Sequence, residues 1–303
     1  MIYTVTFNPS LDLYAKVNNL KLGTVNRTSA ERLAVGGKGI NVALELKELG
    51  DDVMALGFIA GFTGEEIRKC IEKTGLKNDF ICVDGRSRIN VKIKSMMETD
   101  INSSGPLIAT KDVTVLIDKL KHALGKDDWV IICGSVPPSL PSTVYADILD
   151  GLRDIPDVHF AVDACGKLLT EALRYKPFLI KPNLYELCEI FSAPLNMDTK
   201  QIASYARKLQ ELGARNVIVS LGSSGAVMVT ETNQNMYVRA ARGQLVNSVG
   251  AGDCMVAGFI HEYMKTDNYF KALNFATAAG SACAFTESIA TKEQIDYVES
   301  LML

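Results

Sequence analysis

The stretch TKQIASYARKLQELGARNVIVSL (199–221) decides the fold class, because its periodicity changes partway along. Ile202, Ala206, Leu209 and Leu212 recur at helical spacing and fall on one face. Thr199 can cap that helix and Gly213 can end it. NVIVSL (216–221) then reads as a near-continuous apolar run, as in a strand buried on both faces. The alternation recurs: KHALG precedes DDWVIIC, YADILDGL precedes VHFAVD, and FLIKPN follows. The expected fold is α/β, with a mostly parallel central sheet and helices on both faces. No internal repeat, low-complexity segment or linker divides residues 1–303, so one domain is expected.

Two regions break this rhythm. Residues 11–33 and 87–108 alternate apolar with polar, as where Val91 and Ile93 are interleaved with Lys92 and Lys94. They read as half-exposed antiparallel strands outside the parallel core. A small sheet that forms a lid or a dimer surface is expected, with an edge extension of the main sheet as the alternative.

Composition narrows the function. Hydrophobic residues make up 48% and charged residues 22%, which suits a globular enzyme and not a disordered chain. The net charge is −3 and no Lys/Arg run forms a patch, so nucleic acid is not an expected partner. No apolar run approaches the roughly 18 residues that span a bilayer, and MIYTVTFNPS lacks a signal-peptide pattern. Seven cysteines without a CxxC pair read as buried reduced thiols of a cytoplasmic protein. The three histidines are far apart and show no zinc spacing, so no structural metal is expected.

Ligands of open parallel sheets bind beyond the carboxyl ends of the strands. Those ends carry Gly134 and Ser135, Asp163, Lys181 to Asn183, and Gly222 to Gly225. Two glycine sites stand out. In AVGGKGINVALEL (34–46), Gly36, Gly37 and Gly39 surround Lys38, and Asn41 follows one turn into a helix. Glycines admit close approach of a phosphate and Lys38 adds charge; a tight turn with close helix packing is the plainer reading. It is neither a Walker A loop nor a GxGxxG fingerprint. In VNSVGAGDCMVAGFI (246–260), Gly250, Ala251 and Gly252 precede Asp253. Asp253 can cap a helix over Cys254 to Ile260. Alternatively, bare amides at that helix start hold an anion beside a carboxylate that takes a proton.

GGKGINVA followed some 210 residues later by VGAGD resembles the two signatures of the PfkB (ribokinase-like) sugar-kinase family. The segments TFNPSLDLYAKV, VNR, SRINVKI, GSVPPSLP, KPNLYEL and SLGSSGA extend the resemblance over nearly the whole chain. Within the family, NPSLD, VNR, RINVKI and GAGDCMVAGF are most similar to the 1-phosphofructokinase branch, and next to tagatose-6-phosphate kinases. The resemblance implies a ribokinase-like fold and ATP- and Mg²⁺-dependent phosphorylation of a ketohexose phosphate. The substrate it favours is fructose 1-phosphate, with fructose 1,6-bisphosphate as product. A non-catalytic sugar-phosphate sensor on the same fold is the rival of another class, and an intact Asp253 argues against it.

By resemblance, Asp253 is the catalytic base, and Gly250, Ala251 and Gly252 form the anion hole. Asp12 binds sugar hydroxyls; Gly37, Lys38 and Asn41 contact the sugar phosphate and its hydroxyls; Arg88 and Asn90 bind the substrate phosphate. Lys181 pairs with ATP phosphates. Asn183 and Glu186 set Mg²⁺ and phosphates through water, with no direct metal ligand expected. Ser220, Gly222 and Gly225 line the nucleotide. Lys92 reads as a solvated strand charge. Asn274 reads as part of a packed small-residue helix, with adenine contact the alternative. Asn247 stands where ribokinase-type members carry an aspartate that helps a monovalent-cation site, so that charge is missing. A homodimer through the lid is expected, with Arg27 reaching towards a neighbouring subunit's substrate phosphate.

Overall fold

The computed structural model describes residues 1–302. The first half runs β1 (Ile2–Thr6), β2 (Ser10–Lys16), β3 (Ala30–Gly36), α1 (Lys38–Glu48), β4 (Val53–Ala60), α2 (Gly61–Lys73), β5 (Lys77–Val83), β6 (Arg88–Lys94), β7 (Thr99–Ile101), α3 (Thr110–Ala123), β8 (Trp129–Cys133) and α4 (Val144–Leu152). The second half runs β9 (His159–Asp163), α5 (Gly166–Ala172), β10 (Leu179–Ile180), α6 (Leu184–Phe191), α7 (Thr199–Glu211), β11 (Asn216–Ser220), β12 (Ala226–Val229), β13 (Asn235–Val238), α8 (Ala251–Thr266), α9 (Tyr269–Ala284) and α10 (Lys292–Ser300).

The main sheet has the order β13-β12-β11-β10-β9-β8-β1-β4-β5. From β11 to β5 every neighbouring pair is parallel, and β12 and β13 add an antiparallel edge. Strands such as WVIIC are apolar throughout because both faces are covered. On one face Leu116, Leu149, Leu169 and Leu209, from α3, α4, α5 and α7, pack in one core. On the other, Leu46, Ile67, Phe259 and Leu273, from α1, α2, α8 and α9, pack in a second.

A separate four-stranded sheet has the order β3-β2-β6-β7. The expectation of antiparallel strands needs correction at its centre, because β2 and β6 pair in parallel. Between them the chain makes a long excursion through α1, β4, α2 and β5, and such a crossover is what parallel neighbours require. The strands are also shorter than the alternating regions, and β3 runs on to Gly36.

Smaller expectations change too. Asp198, not Thr199, caps α7: its side chain accepts from the Gln201 amide, and Gln201 returns a bond. Leu212 is 52% exposed because the helix ends before it can turn inward. All seven cysteines are free thiols, but Cys82 and Cys165 are exposed and Cys70 is half-buried. Cys82 lies on the edge strand β5 and Cys165 on the loop that leaves β9.

Candidate active site

Gly250 takes a left-handed conformation (φ 88°) and turns the chain into α8. Ala251, Gly252 and Asp253 form the first turn, and no side chain caps the helix start. Asp253 is therefore the third helical residue, and the expectation of an N-cap is corrected. The helix begins three residues earlier, at Ala251 and not Cys254, because glycine at 250 can adopt the left-handed conformation of the cap position. Freed from capping, the Asp253 carboxyl turns to Asn41, whose Nδ2 donates to its Oδ2 at 2.8 Å. Asp253 is only 5% exposed. Burial and the charge of Asp163 push its pKa up, Lys38, Asn41 and Lys181 pull it back, and it settles at about 6.

Asp163, at the end of β9, holds two cations. Lys38 Nζ lies 3.2 Å from its Oδ2 and Lys181 Nζ 3.5 Å from its Oδ1. Lys38 opens α1 immediately after Gly37 (φ 126°), and Lys181 directly follows β10. Burial alone would raise the Asp163 pKa, but the two ammonium groups outweigh it and hold the carboxyl below its ordinary range. Burial pulls the Lys38 pKa down, and the carboxylates of Asp163, Asp253 and Glu186 more than restore it, so the amine stays charged. At Gly252 an added Cβ would lie 3.0 Å from Lys181 Nζ, so this glycine lets the lysine approach the turn.

The small sheet supplies the opposite wall. Ser10, Asp12 and Tyr14 alternate onto one face of β2, in register with Arg88, Asn90 and Lys92 of β6. Asp12 Oδ1 accepts from both Ser10 Oγ (2.7 Å) and Asn90 Nδ2 (2.8 Å). Its Oδ2 accepts no protein hydrogen bond among the described residues and sits over Gly36, where a Cβ would approach to 2.5 Å. Arg88 Nε donates to the Asn8 carbonyl at 3.0 Å, which leaves the terminal guanidinium nitrogens for a ligand. Burial lowers its pKa and Asp12 offsets part of that. Lys92 pairs with Asp100 at 2.8 Å and its side chain is 11% exposed, so it is not the solvated charge expected of it. Alternation put it on the cleft face.

At the other end, Asn183 caps α6 and forms a reciprocal capping box with Glu186. One Glu186 oxygen is used there and the other is free for a ligand. Gly225 (φ 99°) cannot carry a side chain, since a Cβ would lie 2.0 Å from the Val238 carbonyl. Asn274 turns away and donates to Glu299 at 3.1 Å; it does not line the cleft, whereas Thr277, Gly280 and Ser281 of the same helix do. Asn247 receives the Val249 amide and donates to the Glu287 carbonyl.

One cleft of about 1880 Å³ joins these walls. Asp12, Gly37, Lys38, Asn41, Arg88, Asn90, Lys181, Asn183, Glu186, Ser220, Gly222, Gly225, Gly250, Ala251, Gly252 and Asp253 all line it. That volume exceeds the ~300–1,000 Å³ of a single small-molecule site, so it has room for two ligands. Arg27 is exposed on the loop between β2 and β3, outside the lining. Sequence reasoning assigned no role to Asp163 or Ser10. The strand-end position of the first and the i, i+2 spacing of the second from Asp12 were the available signals.

The model of the pfkB family of carbohydrate kinases matches residues 6–295. A 1-phosphofructokinase of Bacillus subtilis is 39% identical over 303 residues, covering 100% of this chain and 97% of the relative. A D-tagatose-1-phosphate kinase of Bacillus licheniformis is 34% identical over 300 residues, covering 99% and 98%. The crystal structure of phosphofructokinase-2 from Escherichia coli with potassium superposes with a TM-score of 0.92, covering 99% and 98% at 23% identity, a likeness of fold.

Proposed function

The chain belongs to the pfkB family of carbohydrate kinases, and on that premise we propose that it transfers the γ-phosphoryl group of ATP to fructose 1-phosphate, giving fructose 1,6-bisphosphate. One observation carries the reading. A buried carboxylate, Asp253, sits in the first turn of a helix that no side chain caps, within the cleft that also holds Arg88.

Phosphoryl transfer asks chiefly for positioning and charge stabilisation. Asp253 accepts the proton of the sugar hydroxyl as that oxygen attacks the γ-phosphorus. The amides of residues 250–252 donate to the phosphoryl oxygens as negative charge moves onto them. Lys38 and Lys181 balance that charge while Asp163 holds them in place. Asp12 offers Oδ2 to a sugar hydroxyl, and Arg88 takes the substrate's own phosphate. Mg²⁺ suits the oxygen-only donors at the nucleotide end, where Glu186 and Asn183 would hold it through water. When bound, it neutralises charge on the ATP phosphates.

The test is kcat/KM with Mg-ATP for fructose 1-phosphate, tagatose 1-phosphate, tagatose 6-phosphate, fructose 6-phosphate and fructose. A preference of about tenfold or more for fructose 1-phosphate supports the reading. The similarity to a tagatose-1-phosphate kinase makes the C4 epimer the second reading, and preference for it would replace the first. Asp253→Asn separates kinase from sensor: turnover falls by ~10²–10⁴ while sugar-phosphate binding persists.

The working unit in this reading is a cytoplasmic homodimer. Leu33, Leu13, Val91 and Ile101 form a row across all four lid strands on the face opposite Asp12. Leu33 and Ile101, at its ends, are 51% and 56% exposed. A second lid would cover this row and bring Arg27 towards the neighbouring cleft. Seven free thiols suit a reducing compartment. Sedimentation as a monomer at micromolar concentration would refute the dimer.

A further inference from the structure

Behind the first turn of α8 lies a second polar contact that the transfer chemistry does not use. Glu45 stands on α1 one turn beyond Asn41, and the residue is 0% exposed. Its Oε2 accepts from Cys254 Sγ at 3.3 Å, and its Oε1 has no partner among the described residues. Cys254 directly follows Asp253. Thus α1 sends two side chains, four residues apart, to two consecutive residues of α8. Asn41 meets the base, and Glu45 meets the thiol beside it.

The surroundings decide the charge of Glu45. The titratable groups facing it and its thiol partner are Glu48 on its own helix, Cys254 on α8 and Cys283 on α9. Lys292 of α10 binds Glu48 and not Glu45, and does so through its backbone amide. The thiol partner Cys254 belongs to an apolar cluster with Leu49, Phe275, Ala279 and Ile295. No cation pairs with Glu45 among the described residues. An ionised carboxylate here would be a buried charge facing a weak thiol donor, which is strongly disfavoured. Burial pushes the Glu45 pKa up to about 8.

We propose that Glu45, as a neutral acid, is a positioning residue for phosphoryl transfer. It fastens the first turn of α8 to α1, keeps Asp253 in register with Asn41, and releases that register when it ionises. The role rests on the kinase reading above. Its consequence is an alkaline limit on turnover set by a group that touches neither substrate.

Two readouts test it, one of them independent of activity. The carboxyl titrates near 4.5 when unfolded and near 8 when folded. Between those values the unfolded chain sheds a proton that the folded chain keeps, so Glu45 makes stability fall as pH rises. Glutamine cannot ionise. The Tm of Glu45→Gln minus that of wild type should therefore rise steadily from pH 5 to pH 8 and level off above. In the second readout, wild-type kcat at saturating substrates should fall about tenfold by pH 9, one unit above the folded value. Glu45→Gln, which still accepts from Cys254, should lose less than about twofold over the same range.

A Tm gap that does not change with pH would overturn the neutral acid and with it the proposal. A growing gap with coincident kcat profiles would overturn the positioning role and leave a buried acid that only costs stability. Absence of turnover on every sugar of the panel would overturn the kinase reading and the positioning role together. The thermal readout would still judge the acid, so the two failures are distinguishable.

Discussion

Asn41 and Asp253 are joined by a 2.8 Å hydrogen bond across 212 residues of sequence. The amide donates to the carboxylate, so it favours the charged form. Removing it in Asn41→Ala should raise the Asp253 pKa from about 6, by about one unit, the worth of one donor to a charged group. The acid limb of kcat/KM moves to higher pH. Activity is then most reduced at pH 6 to 7 and recovers towards pH 8. A loss of equal size at every pH would assign Asn41 to substrate contact or to folding.

Asp163→Asn removes the anion from between Lys38 and Lys181, leaving a lysine that is 5% exposed without its counter-charge. Breaking such a pair costs ~3–5 kcal/mol. Because the folded Asp163 pKa is depressed, its stabilisation is complete above the unfolded carboxylate range and disappears as pH falls through the folded value. Thermal melts should show a large deficit for the variant at pH 7 that shrinks below about pH 4. A constant deficit would mean that packing, not charge, is what Asp163 supplies.

Gly36→Ala tests the sugar end by itself. The added Cβ would stand 2.5 Å from Asp12 Oδ2 and 2.6 Å from Ser10 Oγ, so one or both must shift. Losing a hydrogen bond to a charged group costs ~1.5–3 kcal/mol, so the KM for the sugar phosphate should rise ~10–100-fold. The KM for ATP should hold within about twofold. Equal rises in both would show that the small sheet does not serve the sugar alone.

Arg88→Ala should lower kcat/KM for the phosphorylated sugar by ~10² or more, from the loss of charged hydrogen bonds. Turnover of unphosphorylated fructose should hardly change. Arg88→Lys should recover only part of the loss, since ammonium cannot match phosphate oxygens in bidentate fashion. A parallel loss for both sugars would remove Arg88 from the phosphate and make it a support for Asn8.

Much of the architecture is legible in single segments. NVIVSL lies in and just beyond β11, and the amphipathic run before it is α7, because burial on two faces or one leaves its period in the sequence. Cap chemistry is less legible. Asp198 and Thr199 are both capping types, and only the reciprocal bond to Gln201 chooses between them. Asp253 shows the same limit from the other side. It is a good cap residue by type, and the left-handed Gly250 moves it into the helix, where its carboxyl turns to Asn41.

Residue types at short spacing were enough to specify the alternation of strands and helices, the two glycine turns and the polar strand ends, because backbone conformation is set within a few residues. The partners of those residues were not specified in this way. Lys38 reaches Asp163 from 125 positions away. Lys92 is drawn into the cleft by the parallel pairing of β2 with β6. Glu45 is buried with a thiol partner only because α8 docks on α1. Charge, burial and hydrogen-bond partner belong to the packed chain: they depend on strand order and helix docking, which no local pattern contains.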